Sequence, residues 1–165
     1  MNWLLLLLVY QIKHFLADFP LQTPYMLQKF KASGWVKPLA AHCAVHGFFT
    51  ALICSFVNPA LMVPLALLDM AIHFVMDRIK ASPKMLGRYE SLSKDQFKGL
   101  LESRALAASG VDYVICPDLV GESKRLVAEI DKKFKGNKYF WWSLGLDQMV
   151  HHITHYLIIF ILLKN

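Results

Sequence analysis

Apolar residues in this chain gather into four long runs, about residues 2–19, 35–57, 60–79 and 139–163, separated by polar stretches. A helix needs about 20 apolar residues to cross the hydrocarbon core of a bilayer, at about 1.5 Å per residue. All four runs approach that length, so the pattern predicts four membrane-crossing helices. Pro20 ends the first run and Asn58-Pro59 makes a tight turn between the second and third. Pro64 falls in the first turns of the third, where proline is tolerated. The polar connection 21–34, with Lys29 and Lys31, is expected to lie at the membrane interface.

The stretch 78–138 differs in kind. Ser93-Lys94-Asp95-Gln96 reads as a capping box that opens a helix to about Ala108, closed by Gly110. Asp118 is expected to cap a second helix to about Phe134, closed by Gly136. Leu119, Val120, Leu126, Val127, Ile130 and Phe134 make that helix amphipathic. The run Tyr113-Val114-Ile115-Cys116 fits either a strand or a buried loop. The expected fold is therefore all-α: a polytopic membrane protein with a four-helix transmembrane bundle. A cytoplasmic helical insertion lies between spans three and four. Residues 1–79 carry spans one to three, 80–138 the basic segment and 139–165 the last span, within one domain overall.

Composition agrees with a membrane chain: 56% of residues are hydrophobic and 18% charged. Cys43, Cys54 and Cys116 form no C-x-x-C pair and read as small apolar residues without a disulfide framework. The N-terminal run has no basic stretch before its leucines and carries His14 and Asp18, so it reads as a retained span, not a signal peptide. Residues 78–138 hold 13 of the 18 Lys and Arg and 8 of the 12 Asp and Glu. With Lys29, Lys31 and Lys37 they make one side of the membrane strongly basic, against Lys164 alone on the other. The positive-inside rule then places 80–138 in the cytoplasm and both termini outside. Trp3, Trp35, Trp141 and Trp142 fall at span ends, as interfacial aromatics do.

The polar residues inside the runs carry the chemistry. His14 and Asp18, then His42 and His46, then Asp69, His73 and Asp77, then Asp147, His151 and His155 are each spaced by four. Positions four apart share a helix face. All seven histidines lie in the runs, and each of the four aspartates there stands four from a histidine. Under the predicted orientation the pairs converge on the cytoplasmic leaflet. Imidazole with carboxylate, without thiolate, suits zinc, manganese, iron or nickel. So many ligands predict two divalent transition-metal ions. Asp69 and His155 lie deepest and also fit an orienting role behind the ligands. His42 is a ligand or a general base; His42 and Asp147 are the catalytic candidates. Lys13 and Lys80 flank the cluster, Lys80 snorkelling or contacting a phosphate. His152 lies off the stripe and reads as a hydrogen-bonded core residue. The bland alternative for the whole set is a polar network that holds helices together.

His14-Phe15-Leu16-Ala17-Asp18-Phe19-Pro20-Leu21-Gln22, a histidine in the second run, His73-x-x-x-Asp77-x-x-Lys80 and Asp147-Gln148-x-x-His151 together resemble the bacterial and phage membrane proteins grouped as domain-of-unknown-function family 3307. The resemblance implies no settled activity. The repeated His-x-x-x-Asp is similar in style to membrane-bound metal-dependent hydrolases. The long basic segment departs from the family's compact pattern and points to a specialised substrate or partner.

Four functions compete on this sequence. The first is a metal-dependent phosphoester hydrolase acting on a lipid, a polyprenyl phosphate or a nucleotide. The second is a metal-ion or proton translocator, since intramembrane Asp and His also serve as relays. The third is a non-catalytic, metal-stiffened module that meets a partner protein, or a second copy, through 80–138. The fourth, a haem bundle, leaves the aspartates unexplained. Membrane lipid and an anionic substrate are the expected partners. Nucleic acid is not, because positive-inside charge already accounts for the basic segment.

Overall fold

The computed structural model describes residues 2–89 and 135–164 and, between them, residues 99, 125, 128–130, 132 and 133. The described residues form helices joined by turns, bends and short irregular connections, with no strand among them. Four long helices carry the fold: α1 (Trp3–Asp18), α2 (Val36–Val57), α3 (Met62–Ala81) and α4 (Lys138–Lys164). The chain divides into two compact units, Met1–Arg88 with Ser143–Asn165, and Tyr89–Trp142.

Local chemistry sets the helix limits. The Asn2 side chain accepts the Leu4 N–H at 3.0 Å and caps α1. Phe19 N–H still reaches the Phe15 carbonyl, and Pro20 follows. Asn58 closes α2 through its N–H, bonded to Cys54 O at 2.8 Å. Its side chain accepts Ala60 N–H at 3.2 Å, so one residue ends one helix and starts the next turn. Past α3, Gly87 N–H bonds to Ser82 O at 3.0 Å. A Cβ on Gly87 would sit 2.7 Å from that same oxygen, so only glycine fits this turn.

Helix directions alternate, as the packing shows. Leu6 and Tyr10 from the start of α1 meet Cys54 near the end of α2, Leu65 near the start of α3, and Ile158, Ile159 and Leu162 near the end of α4. One half of this unit is therefore an apolar core. The other half gathers the C-terminal end of α1, the N-terminal half of α2, the C-terminal half of α3 and the middle of α4. Gly47 lets α2 and α3 pack tightly: a Cβ there would collide with the Met70 side chain and lie 3.3 Å from Ala66 O.

The outside of the unit is apolar. Leu4, Leu8, Ile12 and Phe15 are exposed along α1 and Phe19 just past its end, Phe48 and Phe56 on α2, Val63 and Leu67 on α3, and Met149, Ile153 and Phe160 on α4. The inside holds buried lysines, aspartates and histidines. An apolar surface around a charged interior inverts the pattern of a water-soluble bundle. Val36–Val57, Pro59–Ala81 and Lys138–Lys164 are each long and apolar enough to cross a membrane. These helices mark a membrane protein. The first run departs from the expected span length: α1 has 16 residues and rises about 24 Å, short of the ~30 Å hydrocarbon core.

In the second unit, Asn137 accepts the Phe140 N–H at 3.1 Å and donates to Tyr89 O at 3.2 Å, which anchors the start of α4. The helix expected to end before Gly136 runs on: residues 135 and 136 are helical and the break comes at Asn137. Ile130 is buried, while Glu129, Lys132, Lys133 and Lys135 are exposed, as an amphipathic stripe requires. The expected capping-box helix, the run 113–116 and the start of the second helix at Asp118 lie outside the described residues, residue 99 excepted.

Candidate metal centre

The polar half of the first unit is built around four aspartates. Each uses its two oxygens differently. Asp69 Oδ2 takes Lys13 Nζ at 2.6 Å and the Thr50 hydroxyl at 2.7 Å. Its Oδ1 faces His73 Nδ1 at 3.2 Å and His155 Nε2 at 3.6 Å. Asp77 Oδ2 takes Lys29 Nζ at 3.0 Å and faces His42 Nε2 at 3.0 Å, while Oδ1 faces His151 Nε2 at 3.8 Å. Asp147 Oδ2 takes Lys80 Nζ at 2.6 Å and the Gln148 amide at 3.1 Å, leaving Oδ1 3.3 Å from His151 Nε2. Among the described residues, Asp18 forms ion pairs with histidines alone. Its Oδ1 lies 3.1 Å from His46 Nε2 and 3.4 Å from His42 Nε2, and its Oδ2 lies 3.2 Å from His14 Nε2.

All ten residues expected to be ligands are thus in one cluster, contributed by four helices. Every one except Asp18 is buried outright. The imidazoles pack on one another, with ring centroids 3.8 Å apart for His46 and His73 and 4.0 Å for His73 and His151. Four sets of side chains bring ligand atoms within 4.8 Å of one another. Three of these overlap: His14–His73–His155, His14–Asp18–His46 and His46–Asp69–His73. The fourth, Asp77–Asp147–His151, shares no residue with them. These sets could hold cations in two places, one among His14, His46 and His73, the inner position, and one at Asp77, Asp147 and His151, termed the outer position because the two lysines on its carboxylates, Lys29 and Lys80, line a cavity. His42 belongs to none of the sets and sits between Asp18 and Asp77. His152 is half-buried at the edge, its ring 5.6 Å from that of His14.

Unpaired atoms test whether a cation fits. Asp69 Oδ1, Asp147 Oδ1, His73 Nε2 and the Nδ1 atoms of His14, His46, His151 and His155 are buried without a hydrogen-bond partner among the described residues. A buried polar atom left unmade costs about 1–3 kcal/mol. Such a concentration of imidazole and carboxylate without thiolate is chemistry that could hold a borderline divalent ion. Two of the lysines leave this demand in place, because Lys13 and Lys80 take Asp69 Oδ2 and Asp147 Oδ2 and leave each Oδ1 to the imidazoles, whereas Lys29 shares Asp77 Oδ2 with His42.

Several members were not visible as site residues in the sequence. Lys29 was expected at the membrane interface; it is instead buried, on the 3-10 turn Met26–Phe30, with its ammonium on Asp77. The compact turn between α1 and α2 folds back over the cluster, and the charge of Asp77 holds it there. Thr50, one helical turn beyond His46, and Gln148, beside Asp147, complete the hydrogen bonding of two aspartates. Gln148 also sits 3.2 Å from His14 Nε2. Only the spacing of Thr50 from His46 could have marked it. Lys80, expected to snorkel or to touch a phosphate, reaches Asp147.

A cavity of about 290 Å³ opens onto the cluster, lined by Asp18, Phe19, Gln22, Lys29, Phe30, Lys80, Leu144 and Gln148. It lies at the end opposite the apolar core. Its polar lining is one carboxylate, two ammonium groups and two amides.

A family described as "Protein of unknown function (DUF3307)" matches residues 4–102. The chain belongs to that family. The DUF3307 match contains α1 from Leu4 onward, α2 and α3, with seven of the ten clustered residues, from His14 to Asp77. The fourth helix, with Asp147, His151 and His155, lies beyond it. No curated protein and no solved structure matches the chain.

Proposed function

We propose that this DUF3307 protein is a membrane-embedded hydrolase of phosphoesters that depends on divalent cations. One observation carries the reading: a cavity whose polar lining includes Lys29 and Lys80 opens onto a buried His and Asp cluster. Bound divalent ions would lower the pKa of a water and clamp phosphate oxygens. His14, Asp18, His46, His73, Asp77, Asp147 and His151 would hold them. Asp69 would orient His73 and His155 from behind, held by Lys13 and Thr50. His42, between Asp18 and Asp77 but outside the ligand sets, is placed to take a proton from water. Phe19, Phe30 and Leu144 give the mouth an apolar rim that suits an amphiphile.

The membrane arrangement belongs to the same proposal. All four helices cross or enter the bilayer, α1 included, because its outward face is as apolar as the others. Residues 80–138 lie in the cytoplasm, both termini outside, and the mouth opens to the cytoplasmic leaflet. A translocator is the second reading, supported by the depth of the Lys13–Asp69 pair. Against it, Leu6, Leu65, Ile158 and Leu162 close the other half, where an unpaired charge costs several kcal/mol.

The test is reconstituted protein offered phosphatidic acid, polyprenyl phosphate and nucleotides with Mn²⁺ or Zn²⁺. Metal-dependent phosphate release is expected, abolished by Asp18→Asn or Asp77→Asn with helicity retained. Cation flux without turnover of any substrate would favour the translocator.

A further inference from the structure

Lys29 and Lys80 hold a particular place in the centre. Both reach it from the mouth, Lys29 from the 3-10 turn and Lys80 from the last turn of α3, and both line the cavity. Their ammonium groups hold Asp77 and Asp147, the two carboxylates of the outer cation position. The inner Asp69 is held by Lys13, which does not line the cavity. Each mouth lysine therefore stands between a carboxylate that a cation needs and a space that an anion can enter.

Charge bookkeeping sharpens the point. Four carboxylates face three ammonium groups, so the cluster carries a net −1 with its imidazoles neutral. Two divalent ions would take it to +3. Buried charge of that size is costly unless paired. A phosphate dianion in the mouth is the natural counter-charge. A cavity of about 290 Å³ is at the small end of ligand pockets, right for a head group and too small for a large ligand.

We propose that Lys29 and Lys80 are exchange partners. Each holds its aspartate until a divalent cation takes the carboxylate, then turns into the cavity and binds a phosphate group. The lysine stem is flexible and its ammonium is a compact point charge, so the move needs only side-chain rotation. Gln148, whose amide also donates to Asp147, is released with Lys80. Cation and phosphate then bind cooperatively, and the coupling is reciprocal. This rests on the metal-binding part of the proposed function and adds the phosphate subsite to it; it does not need turnover.

The test is a binding measurement on the full chain in detergent or nanodiscs. Mn²⁺ affinity is read by competition with a chelating indicator, alone, with inorganic phosphate, and with phosphatidic acid against phosphatidylcholine. Phosphate or phosphatidic acid should tighten Mn²⁺ binding about tenfold, within the usual range of coupling. Whichever gives the larger gain identifies a free or a lipid-borne phosphate as the ligand. Lys29→Met and Lys80→Met should each bind Mn²⁺ at least as tightly as the parent without phosphate, and lose most of the gain. Lys80→Arg should keep it. Should a Met variant lose helicity by circular dichroism, Lys29→Gln or Lys80→Gln is read in its place. Mn²⁺ binding with no gain, or a full gain in the lysine variants, overturns the exchange and leaves the metal centre standing. No Mn²⁺ binding at all removes both.

Discussion

At the scale of single residues, the centre is defined by how each aspartate divides its oxygens. In Asp69 and Asp147 one oxygen meets an ammonium group and the other faces an imidazole, while Asp77 Oδ2 meets Lys29 and His42 together and Asp18 faces imidazoles with both oxygens. A polar network that only held helices together would satisfy both sides. Here Asp69 Oδ1 and Asp147 Oδ1 face imidazole nitrogens at 3.2 and 3.3 Å without a hydrogen bond among the described residues. That asymmetry gives a prediction about metal content. Purified protein should hold about two transition-metal ions per chain by elemental analysis, one for each position. Asp147→Ala and His73→Ala should each lower that content, while His152→Ala, at the edge, should leave it unchanged. Equal content in all three variants would remove these side chains from the ligand set. The i, i+4 spacing alone had picked out the ten cluster members. It could not reveal Lys29, since burying that lysine depends on how the polar connection folds back over Asp77.

At the scale of elements, the sequence set where helices run more reliably than how closely they pack. Asn2, Pro20 and Asn58-Pro59 fixed ends that the structure reproduces within a residue or two. The close approach of α2 to α3 was not legible, because Gly47 acts through Met70, a residue on another helix. Gly47→Ala should therefore displace Met70 and destabilise the fold by about 1–3 kcal/mol, as overpacking does. Adding Met70→Ala should recover most of the loss, read as the thermal midpoint in detergent. A double variant no better than Gly47→Ala would place the strain elsewhere. Because His46 and His73 flank this crossing, the same variant should also weaken cation binding.

At the scale of the whole molecule, polar chemistry occupies one half of the first unit and an apolar core the other. The lysine and arginine asymmetry of the sequence predicts a direction for that polarity. A cysteine introduced as Glu90→Cys, with Cys43, Cys54 and Cys116 replaced by alanine, should react with an impermeant reagent only from the cytoplasmic side. Labelling from outside would invert the topology and carry the mouth to the other leaflet.

The sequence by itself determined the helices, their membrane character, the DUF3307 membership and the ten-residue cluster. These follow from local rules: run length, proline and asparagine breaks, and a spacing of four that puts side chains on one face. Only the tertiary structure decided which carboxylate oxygen meets which partner, that Lys13, Lys29 and Lys80 neutralise three aspartates, and that the cluster splits into overlapping inner sets and a separate outer one. It also decided that a mouth lies over Asp18 while Leu6, Leu65 and Ile158 close the far end. Those are contacts between residues tens of positions apart. They depend on helix rotation and distance, which hydrophobic period and residue spacing leave free.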